Sequence, residues 1–296
     1  MSDPYVTDDA YGEQFRMMLG DSCERLGDLD DNSVDLSIYS PPFASLYTYS
    51  PSERDLGNSA DRAQFLEHYG YVSREVLRVT KPGRIAAVHC QQLSTTKATH
   101  GVIGLTDFRG ELIRRHVEDG WIFHGEVTID KDPQAQAIRT KAHALMFVTL
   151  HRDSSNSRPA MADYLLLFRK PGENAVPVKP DVDNETWIQW ARPIWTGIKE
   201  TNTLNTHVAK DSNDERHICP LQLDLIARCV RLWSNEGETV LSPFGGIGSE
   251  GFEAVRLGRK FVGCELKASY WKTAVANLER AEHEASLPSL LDGVPA

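Results

Sequence analysis

Cysteine is scarce in this sequence, and its spacing argues against both a disulfide framework and a structural zinc site. The 296 residues include five cysteines, and no two of them form a C-x-x-C pair. Disulfide frameworks need paired cysteines, and structural zinc sites need closely spaced thiolates. We therefore expect reduced thiols, no bound metal and a cytoplasmic location. The five residues are Cys23, Cys90, Cys219, Cys229 and Cys264.

Long hydrophobic runs and a basic leader are also missing. No window approaches the roughly 18 consecutive apolar residues that a membrane-spanning helix needs. The first residues, MSDPYVTDDAYGEQ, are acidic and polar, unlike a signal peptide or a basic transit peptide. A 41% hydrophobic share and 25% charged residues are typical of a globular protein. We expect no membrane partner.

Acidic charge dominates the chain, but it is unevenly spread. The net charge is −10, and residues 1–35 account for −8 of it, with ten acids against two arginines. The remainder, −10 less −8, is only −2. Residues 139–170 reverse the sign to +4, with six basic and two acidic side chains. Such a stretch can bind phosphates, although an ordinary solvated face explains the charge equally well.

Segments of helical and extended character alternate along most of the chain. Apolar residues at helical spacing predict helices over 61–79, 108–120, 221–234, 248–258 and 269–285. Apolar runs bounded by turn residues predict strands over 33–39, 84–90, 121–129, 162–170, 238–244 and 260–266. This alternation predicts an α/β fold with a mainly parallel sheet.

Residues 173–216 break the alternation. They combine Pro, Asp, Asn and Thr with Trp187, Trp190 and Trp195, and they show no steady period. Because tryptophans need something to pack on, we expect an irregular insert rather than disorder. We place this insert inside a single domain that spans residues 1–296.

A strand that ends in prolines marks the first candidate site. The alternating run over 33–39 stops at Ser40-Pro41-Pro42-Phe43. Two prolines end a strand and hold a backbone carbonyl in place, and here an aromatic ring follows directly. Taken alone, the pattern fits a strand-terminating turn as well as it fits a site.

A glycine-rich turn marks the second candidate site. In SPFGGIGSEG, the residues Gly245, Gly246 and Gly248 stand between a predicted strand and a predicted helix. Such turns let a ligand approach the backbone, and the helix N-terminus offers free N–H groups. Glu265 ends the next strand, where a carboxylate can accept hydrogen bonds from ribose hydroxyls. Gly251 completes a G-x-G-x-x-G pattern, so a nicotinamide-dependent oxidoreductase is one alternative.

Together the two motifs resemble those of S-adenosylmethionine-dependent DNA amino-methyltransferases. Ser40-Pro41-Pro42-Phe43 is similar to their catalytic motif, in which Asp, Asn or Ser precedes Pro-Pro and an aromatic residue. SPFGGIG is similar to their cofactor loop, usually Asp-Pro-Phe-x-Gly-x-Gly. The catalytic motif precedes the loop, as in the β group, and the lead-in LGDSCERLGDLDDNSVDL is also similar to that group's. The resemblance covers roughly residues 17–90 and 215–280.

The resemblance implies a fold, a cofactor and a set of cofactor contacts. The fold would be the Rossmann-like class I methyltransferase fold, a mainly parallel twisted sheet with helices on both faces. The cofactor would be S-adenosylmethionine. Its contacts would come from Asp21, Ser242, Pro243, Phe244, Gly245, Gly246, Gly248 and Glu265. Ser242 departs from the family's usual Asp, and its hydroxyl is a weaker partner for the cofactor's ammonium group.

The resemblance also implies how catalysis would work. The catalytic residues would be Ser40, Pro41, Pro42 and Phe43. The Ser40 side chain and the Pro41 carbonyl would accept the N–H bonds of an exocyclic amine, and Phe43 would stack on a base flipped out of the duplex. Serine at the first motif position favours N4 of cytosine as the target, with N6 of adenine as the alternative.

The implied partner is double-stranded DNA. We predict contacts from Arg139, Lys141, Arg158 and Trp195, with the insert over 173–216 as a candidate recognition segment. A second copy of the chain and a cognate restriction enzyme stay open as further partners. A DNA-binding protein without catalytic activity is an alternative from another functional class.

Two further patterns are interpreted structurally. Cys219-Pro220 has the reverse order of the Pro-Cys nucleophile of C5-cytosine methyltransferases, so we assign it no catalytic role. His89-Cys90 follows a run of buried character, and we predict that both residues pack in the core.

Overall fold

The structure is a computed structural model that describes residues 5–42, 59, 61–95, 97–134, 151, 159–204 and 220–287. The strands are β1 (Asp8–Tyr11), β2 (Phe15–Leu19), β3 (Val34–Tyr39), β4 (Thr80–Gln91), β5 (Leu93–Thr95), β6 (Gly104–Thr106), β7 (Ile122–Ile129), β8 (Asp163–Arg169), β9 (Ile194–Trp195), β10 (Thr239–Ser242) and β11 (Lys260–Glu265). The helices are α1 (Ser22–Arg25), α2 (Arg62–Val79), α3 (Lys97–His100), α4 (Phe108–Glu118), α5 (Asn184–Trp190), α6 (Leu223–Trp233), α7 (Ser249–Arg256) and α8 (Ala268–Ser286).

Most of the described strands form one mixed sheet in the order β1-β2-β11-β10-β3-β4-β8-β7-β9. The neighbours β2, β11, β10, β3 and β4 run parallel to one another. β8 is antiparallel to both β4 and β7. The carboxyl ends of the parallel strands therefore lie along one edge, and the prediction of an α/β fold with a mainly parallel sheet is confirmed.

Capping side chains mark where helices α2 and α4 begin. Asp61 precedes α2 and accepts a hydrogen bond from the Gln64 amide at 2.9 Å. Asp107 precedes α4 and accepts one from the Gly110 amide at 3.0 Å. A cap of this kind stabilises a helix by about 1 kcal/mol. Because cap and apolar spacing agree locally, the predicted helices over 61–79 and 108–120 match α2 and α4 closely.

Helices cover both faces of the sheet. On one face, Leu225 of α6 and Phe252 of α7 are buried in a cluster that includes Leu36 of β3. On the other face, Phe65 of α2 and Leu112 of α4 are buried in a second cluster. The prediction of helices on both faces is confirmed.

The strands at both edges of the large sheet are not among those predicted from the sequence. At one edge, β1 and β2 form an antiparallel hairpin, and β2 pairs in parallel with β11. At the other edge, β9 pairs in parallel with β7. Since β9 belongs to the segment over 173–216, part of the predicted insert contributes directly to the sheet.

Three features of the described residues concern membrane spans, metal-binding clusters and thiols. No helix in the described part of the chain is long and apolar enough to cross a membrane. Within the same residues, no cluster of three or more His, Cys, Asp or Glu side chains is arranged to hold a metal ion. The described cysteines, Cys23, Cys90, Cys229 and Cys264, are free thiols.

Candidate active site

Two neighbouring parallel strands end where both sequence motifs begin. β3 and β10 pair directly, with Leu36 opposite Val240 and Ser37 opposite Leu241. From β3 the chain continues through α2 to β4 on one side, and from β10 through α7 to β11 on the other. Neighbouring strands that diverge in this way open a crevice at the carboxyl edge of an α/β sheet, where ligands bind. The fold thus brings the two motifs to one crevice.

The predicted catalytic residues follow the end of β3. Pro41 is buried, Ser40 and Pro42 are partly exposed, and Phe43 lies outside the described residues. The Ser40 hydroxyl oxygen is 3.1 Å from Nδ1 of His89 and 3.2 Å from the His89 carbonyl oxygen. His89 is buried on β4, as its sequence context predicts, but its contact with the motif serine is not visible in any local pattern.

A buried group of charged side chains lies behind His89. Nε2 of His89 is 3.1 Å from Oδ2 of Asp163, the first residue of β8. The same oxygen is 2.7 Å from Nζ of Lys131, and Oδ1 accepts a hydrogen bond from Gln91 at 2.9 Å. Burial alone would raise the pKa of Asp163, but the contacts with His89 and Lys131 outweigh it and hold the pKa below its usual value. The motif serine is therefore linked to an ionised, buried carboxylate.

The glycine turn after β10 is held by β11 and by α1. The Gly245 amide donates to the β11 backbone at 2.7 Å, and the Gly246 amide donates to Oε2 of Glu265 at 2.8 Å. The Ser22 hydroxyl donates to the Pro243 carbonyl. These bonds hold the predicted cofactor loop against two neighbouring elements.

Space for a ligand lies over this turn. A Cβ at Gly246 would meet no atom within 4 Å, whereas a Cβ at Gly248 would lie 3.2 Å from Ala274 of α8. The hydroxyls of Ser242 and Ser249 are buried without a hydrogen-bond partner in the described part of the chain. Buried polar groups normally have partners, so these two oxygens are candidates for contacts with a polar ligand.

Two carboxylate side chains that are predicted to contact the cofactor lie at the same edge of the sheet. The Glu265 carboxylate, at the end of β11, accepts hydrogen bonds from the amides of Gly246 and Lys267 at 2.8 Å each. The Gly20 amide donates to the Glu265 carbonyl at 2.9 Å, which brings the adjacent Asp21 to this edge as the N-cap of α1. A carboxylate at the end of this strand is placed where it can accept hydrogen bonds from a ligand's hydroxyl groups.

A buried acid that the sequence motifs do not single out stands in the first turn of α7. Glu250 is 5% exposed, and its burial raises its pKa to about 8. The nearby charge of Glu265 raises the pKa further. At neutral pH the group is therefore mostly protonated, and it can donate as well as accept a hydrogen bond.

An aromatic cluster joins the two motifs. The Phe244 ring lies edge-on to Tyr39 with centroids 5.9 Å apart, and it stacks on Tyr69 at 6.5 Å. The Tyr39 and Tyr69 hydroxyls are 3.2 Å apart, and Nε2 of His116 lies 3.3 Å and 3.2 Å from them. Because Tyr39 directly precedes Ser40 and Phe244 belongs to the glycine turn, this buried cluster holds the two strand ends together.

The prediction that Trp195 contacts DNA is wrong. Its side chain is 1% exposed, stacks on Trp233 with centroids 6.1 Å apart, and donates to the Trp190 carbonyl at 2.8 Å. It fills the core where β9 joins the sheet, so it cannot reach DNA. Trp187, another tryptophan of the segment over 173–216, is 50% exposed. The other predicted DNA contacts, Arg139, Lys141 and Arg158, lie outside the described residues.

Comparison with curated proteins finds partial matches to methyltransferases. The type II methyltransferase M.BglI of Bacillus subtilis is 29% identical over 128 residues, which are 42% of this chain and 33% of that protein. The DNA adenine methyltransferase YhdJ of Escherichia coli K12 is 39% identical over 59 residues, 20% of this chain and 20% of that protein. The matched part thus spans a third or less of each of these relatives.

Solved structures match over nearly the whole chain. TTHA0409 from Thermus thermophilus, in complex with S-adenosyl-L-methionine, is 24% identical with a TM-score of 0.65 and covers 90% of this chain and 95% of that one. The cytosine-N4-specific PvuII DNA methyltransferase is 19% identical with a TM-score of 0.65 and covers 92% of both chains. These likenesses confirm the predicted class I methyltransferase fold.

A family model covers both motifs and the segment between them. It is described as DNA methylase, and it matches residues 34–276. The resemblance inferred from the two motifs is therefore confirmed. The chain belongs to the DNA methylase family, which comprises the N6 and N4 amino-methyltransferases.

Proposed function

We propose that this protein transfers a methyl group from S-adenosylmethionine to the exocyclic amine of a base in double-stranded DNA. The observation that carries the proposal is the meeting of Ser40-Pro41, at the end of β3, with the glycine turn after β10. Membership of the DNA methylase family makes methyl transfer the expected chemistry. It gives no support to the oxidoreductase that the G-x-G-x-x-G pattern allowed.

The residues around the glycine turn suit S-adenosylmethionine. Gly246 leaves open space above the turn, and Ser242 and Ser249 offer unpartnered hydroxyls to polar ligand atoms. Glu265 ends β11, where a carboxylate accepts hydrogen bonds from ribose hydroxyls. Phe244 provides an apolar surface beside the turn. When bound, the cofactor supplies a methyl group on a positively charged sulfur.

The end of β3 suits the target amine. An exocyclic amine is a poor nucleophile because its lone pair is delocalised into the base. Ser40 and the Pro41 carbonyl would accept its two N–H bonds, which directs the nitrogen lone pair toward the methyl group. Phe43 would stack on the flipped base. The chain thus contributes positioning and electrostatics, without a covalent intermediate.

We favour N4 of cytosine as the methylated atom. Serine at the first motif position resembles the N4 subgroup, and the similar PvuII enzyme is described as cytosine-N4-specific. N6 of adenine is the second candidate, because the partial relative YhdJ is described as a DNA adenine methyltransferase.

We infer that the segment over 173–216, inside one domain over 1–296, takes part in DNA recognition. Helix α5, in its described part, carries Trp187 and Ile188, which are 50% and 60% exposed. Exposed aromatic and aliphatic side chains can stack on bases or wedge between them. Because several relatives are named type II methyltransferases, a cognate restriction enzyme is a further proposed counterpart in the cell.

The test is to incubate the purified protein with DNA and S-adenosylmethionine, digest the DNA to nucleosides and identify them by mass spectrometry. We expect N4-methylcytosine. N6-methyladenine would keep the mechanism and overturn the choice of base. No methylated nucleoside on several DNA substrates, with cofactor binding intact, would instead support a DNA-binding protein without activity.

Matched proline substitutions test the location of the site. Pro41→Ala should reduce turnover while largely preserving cofactor binding, because it releases the carbonyl that orients the amine. Pro171→Ala is the control: Pro171 is exposed and follows β8, whose carboxyl end lies at the opposite edge of the sheet. Equal rates for wild type and Pro41→Ala would show that the active site lies elsewhere.

A further inference from the structure

Four side chains from four segments form a continuous chain behind the motif serine. Ser40 lies 3.1 Å from Nδ1 of His89, and Nε2 of the same ring lies 3.1 Å from Asp163. Asp163 is in turn 2.7 Å from Nζ of Lys131. His89, Asp163 and Lys131 are each less than a tenth exposed. The chain of contacts therefore runs from the crevice into the interior of the sheet.

The carboxylate decides which nitrogen of His89 carries the proton. An ionised oxygen at 3.1 Å from Nε2 favours a proton on that nitrogen, since a lone pair there would face negative charge. The contact lies off the ideal hydrogen-bond direction, but among the described residues Nε2 has no other polar partner. Nδ1 is then left with a lone pair, which points to the Ser40 hydroxyl.

The orientation of His89 in turn decides the role of the Ser40 hydroxyl. Its two neighbours on β4, Nδ1 of His89 at 3.1 Å and the His89 carbonyl at 3.2 Å, are then both acceptors. The single hydroxyl proton is drawn toward β4, and the oxygen's lone pairs remain for the crevice. A hydroxyl held in this way accepts hydrogen bonds from an amine and does not donate to it.

We propose that His89 and Asp163 are positioning residues that hold the Ser40 hydroxyl as a hydrogen-bond acceptor for the substrate amine. The inference rests on the proposed function and deepens it, because an acceptor at this point is what the amine's N–H group requires. Serine alone can rotate its proton into the crevice and oppose the amine. The chain of buried groups removes that freedom.

The cost of burying these groups supports a role in the site. A buried ion pair is often no more stabilising than apolar residues of similar volume, because both charges lose their hydration. Lys131 and Asp163 are 8% and 5% exposed, and they lie directly behind the residue that contacts the motif serine. Core packing by itself gives no reason to place a cation, an anion and an imidazole in this order.

The first test measures the histidine tautomer and needs no activity. In protein with ¹⁵N-labelled histidine, the His89 ring should show the Nε2–H tautomer, with its signals assigned by their loss in His89→Asn. Asp163→Asn replaces an acceptor with an amide that can donate, so the ring should move to the Nδ1–H tautomer. The double variant Asp163→Asn/Lys131→Met keeps the buried charge balanced if the single variant fails to fold. A wild-type ring in the Nδ1–H tautomer would overturn the proposal.

The second test asks whether His89 acts through Ser40. His89→Leu removes the acceptor and should slow single-turnover methyl transfer by about 100-fold at unchanged cofactor affinity. His89→Asn, whose amide oxygen can still accept from Ser40, should recover most of that loss. In a Ser40→Ala background, His89→Leu should change the rate by no more than about twofold. His124→Asn, at an exposed position on β7, is the control.

The outcomes separate this inference from the proposed function. If His89→Leu slows methyl transfer equally with and without the Ser40 hydroxyl, His89 has only a structural role. That result would overturn the proposed positioning of Ser40, while methyl transfer itself would stand. A wild-type protein that transfers no methyl group would overturn the proposed function. In that case the tautomer measurement alone decides whether His89 holds Ser40 as an acceptor.

Discussion

The buried ring of His116 allows a quantitative test of the cluster that joins the two strand ends. The ring is 0% exposed, stacks in parallel on Phe168 with centroids 3.9 Å apart, and donates from Nδ1 to the Leu112 carbonyl at 2.8 Å. Its Nε2 faces the hydroxyls of Tyr39 and Tyr69. Burial lowers the pKa of His116 to about 4, because the charged ring would lose its hydration.

This pKa predicts how stability depends on pH. In the unfolded chain a histidine has a pKa of about 6.5, so the unfolded state binds more protons between roughly pH 6.5 and pH 4. The contribution of His116 to the free energy of unfolding is therefore fully present above about pH 6.5 and is lost as the pH falls through about 4. The difference between the two pKa values corresponds to about 3 kcal/mol.

The assay is urea unfolding of wild type and His116→Gln at several pH values from about 7.5 to about 4. Glutamine does not titrate, so the variant should lose about 3 kcal/mol less over this range than the wild type does. His124→Gln is the control, because His124 is exposed on β7 and its replacement should leave the pH dependence unchanged. Parallel curves for wild type and His116→Gln would refute the assignment of a neutral, buried imidazole.

Four further predictions concern two glycines of the glycine turn, the buried acid Glu250 and the exposed helix α5. Gly248→Ala should lower the free energy of unfolding by about 2 kcal/mol, because φ is 86° and the new Cβ would lie 3.2 Å from α8. Gly246→Ala should lower the free energy of unfolding by only about 1 kcal/mol, because its methyl group would meet no other atom of the described residues within 4 Å. The methyl group would instead occupy the open space proposed for the cofactor, so calorimetry should show weaker cofactor binding. The folded-state pKa of Glu250 is raised to about 8, so the wild type loses stability as the pH rises from about 4.5 to about 8 and this carboxyl must ionise in the folded protein. Glutamine does not titrate, so the free energy of unfolding of Glu250→Gln should rise by on the order of 4 kcal/mol relative to wild type over this range. A difference in unfolding free energy that stays constant with pH would contradict this. Trp187→Ala should change the unfolding free energy by less than about 0.5 kcal/mol yet weaken DNA binding in fluorescence anisotropy by about tenfold, and unchanged affinity would exclude this helix from recognition.

The elements that carry both motifs are predictable because their signals are local. The strand predicted over 33–39 is observed as Val34–Tyr39, and the helix predicted over 61–79 is observed as Arg62–Val79. Apolar periodicity, an aspartate cap and strand-ending prolines act within a few residues of one another. The glycine turn after β10 is visible for the same reason, and the order of the two motifs then points to the family.

The edges of the sheet are not predictable in the same way. β2 is five residues long, and it is a strand because β11 pairs with it from the far end of the chain. Trp195 is in the core because β7 pairs with β9 and Trp233 of α6 offers a stacking surface. A tryptophan's sequence neighbours do not show which partner it meets, so the expectation of a DNA contact failed.

What the sequence by itself determined is the class of fold, the two motif-bearing strand ends and the chemistry that they suggest. What only the tertiary structure decided is which distant groups stand behind them. Ser40, His89 and Asp163 lie on three different segments and meet only because β3, β4 and β8 are neighbours in the sheet. Strand order depends on the packing of the whole sheet, and no local pattern of residues records it.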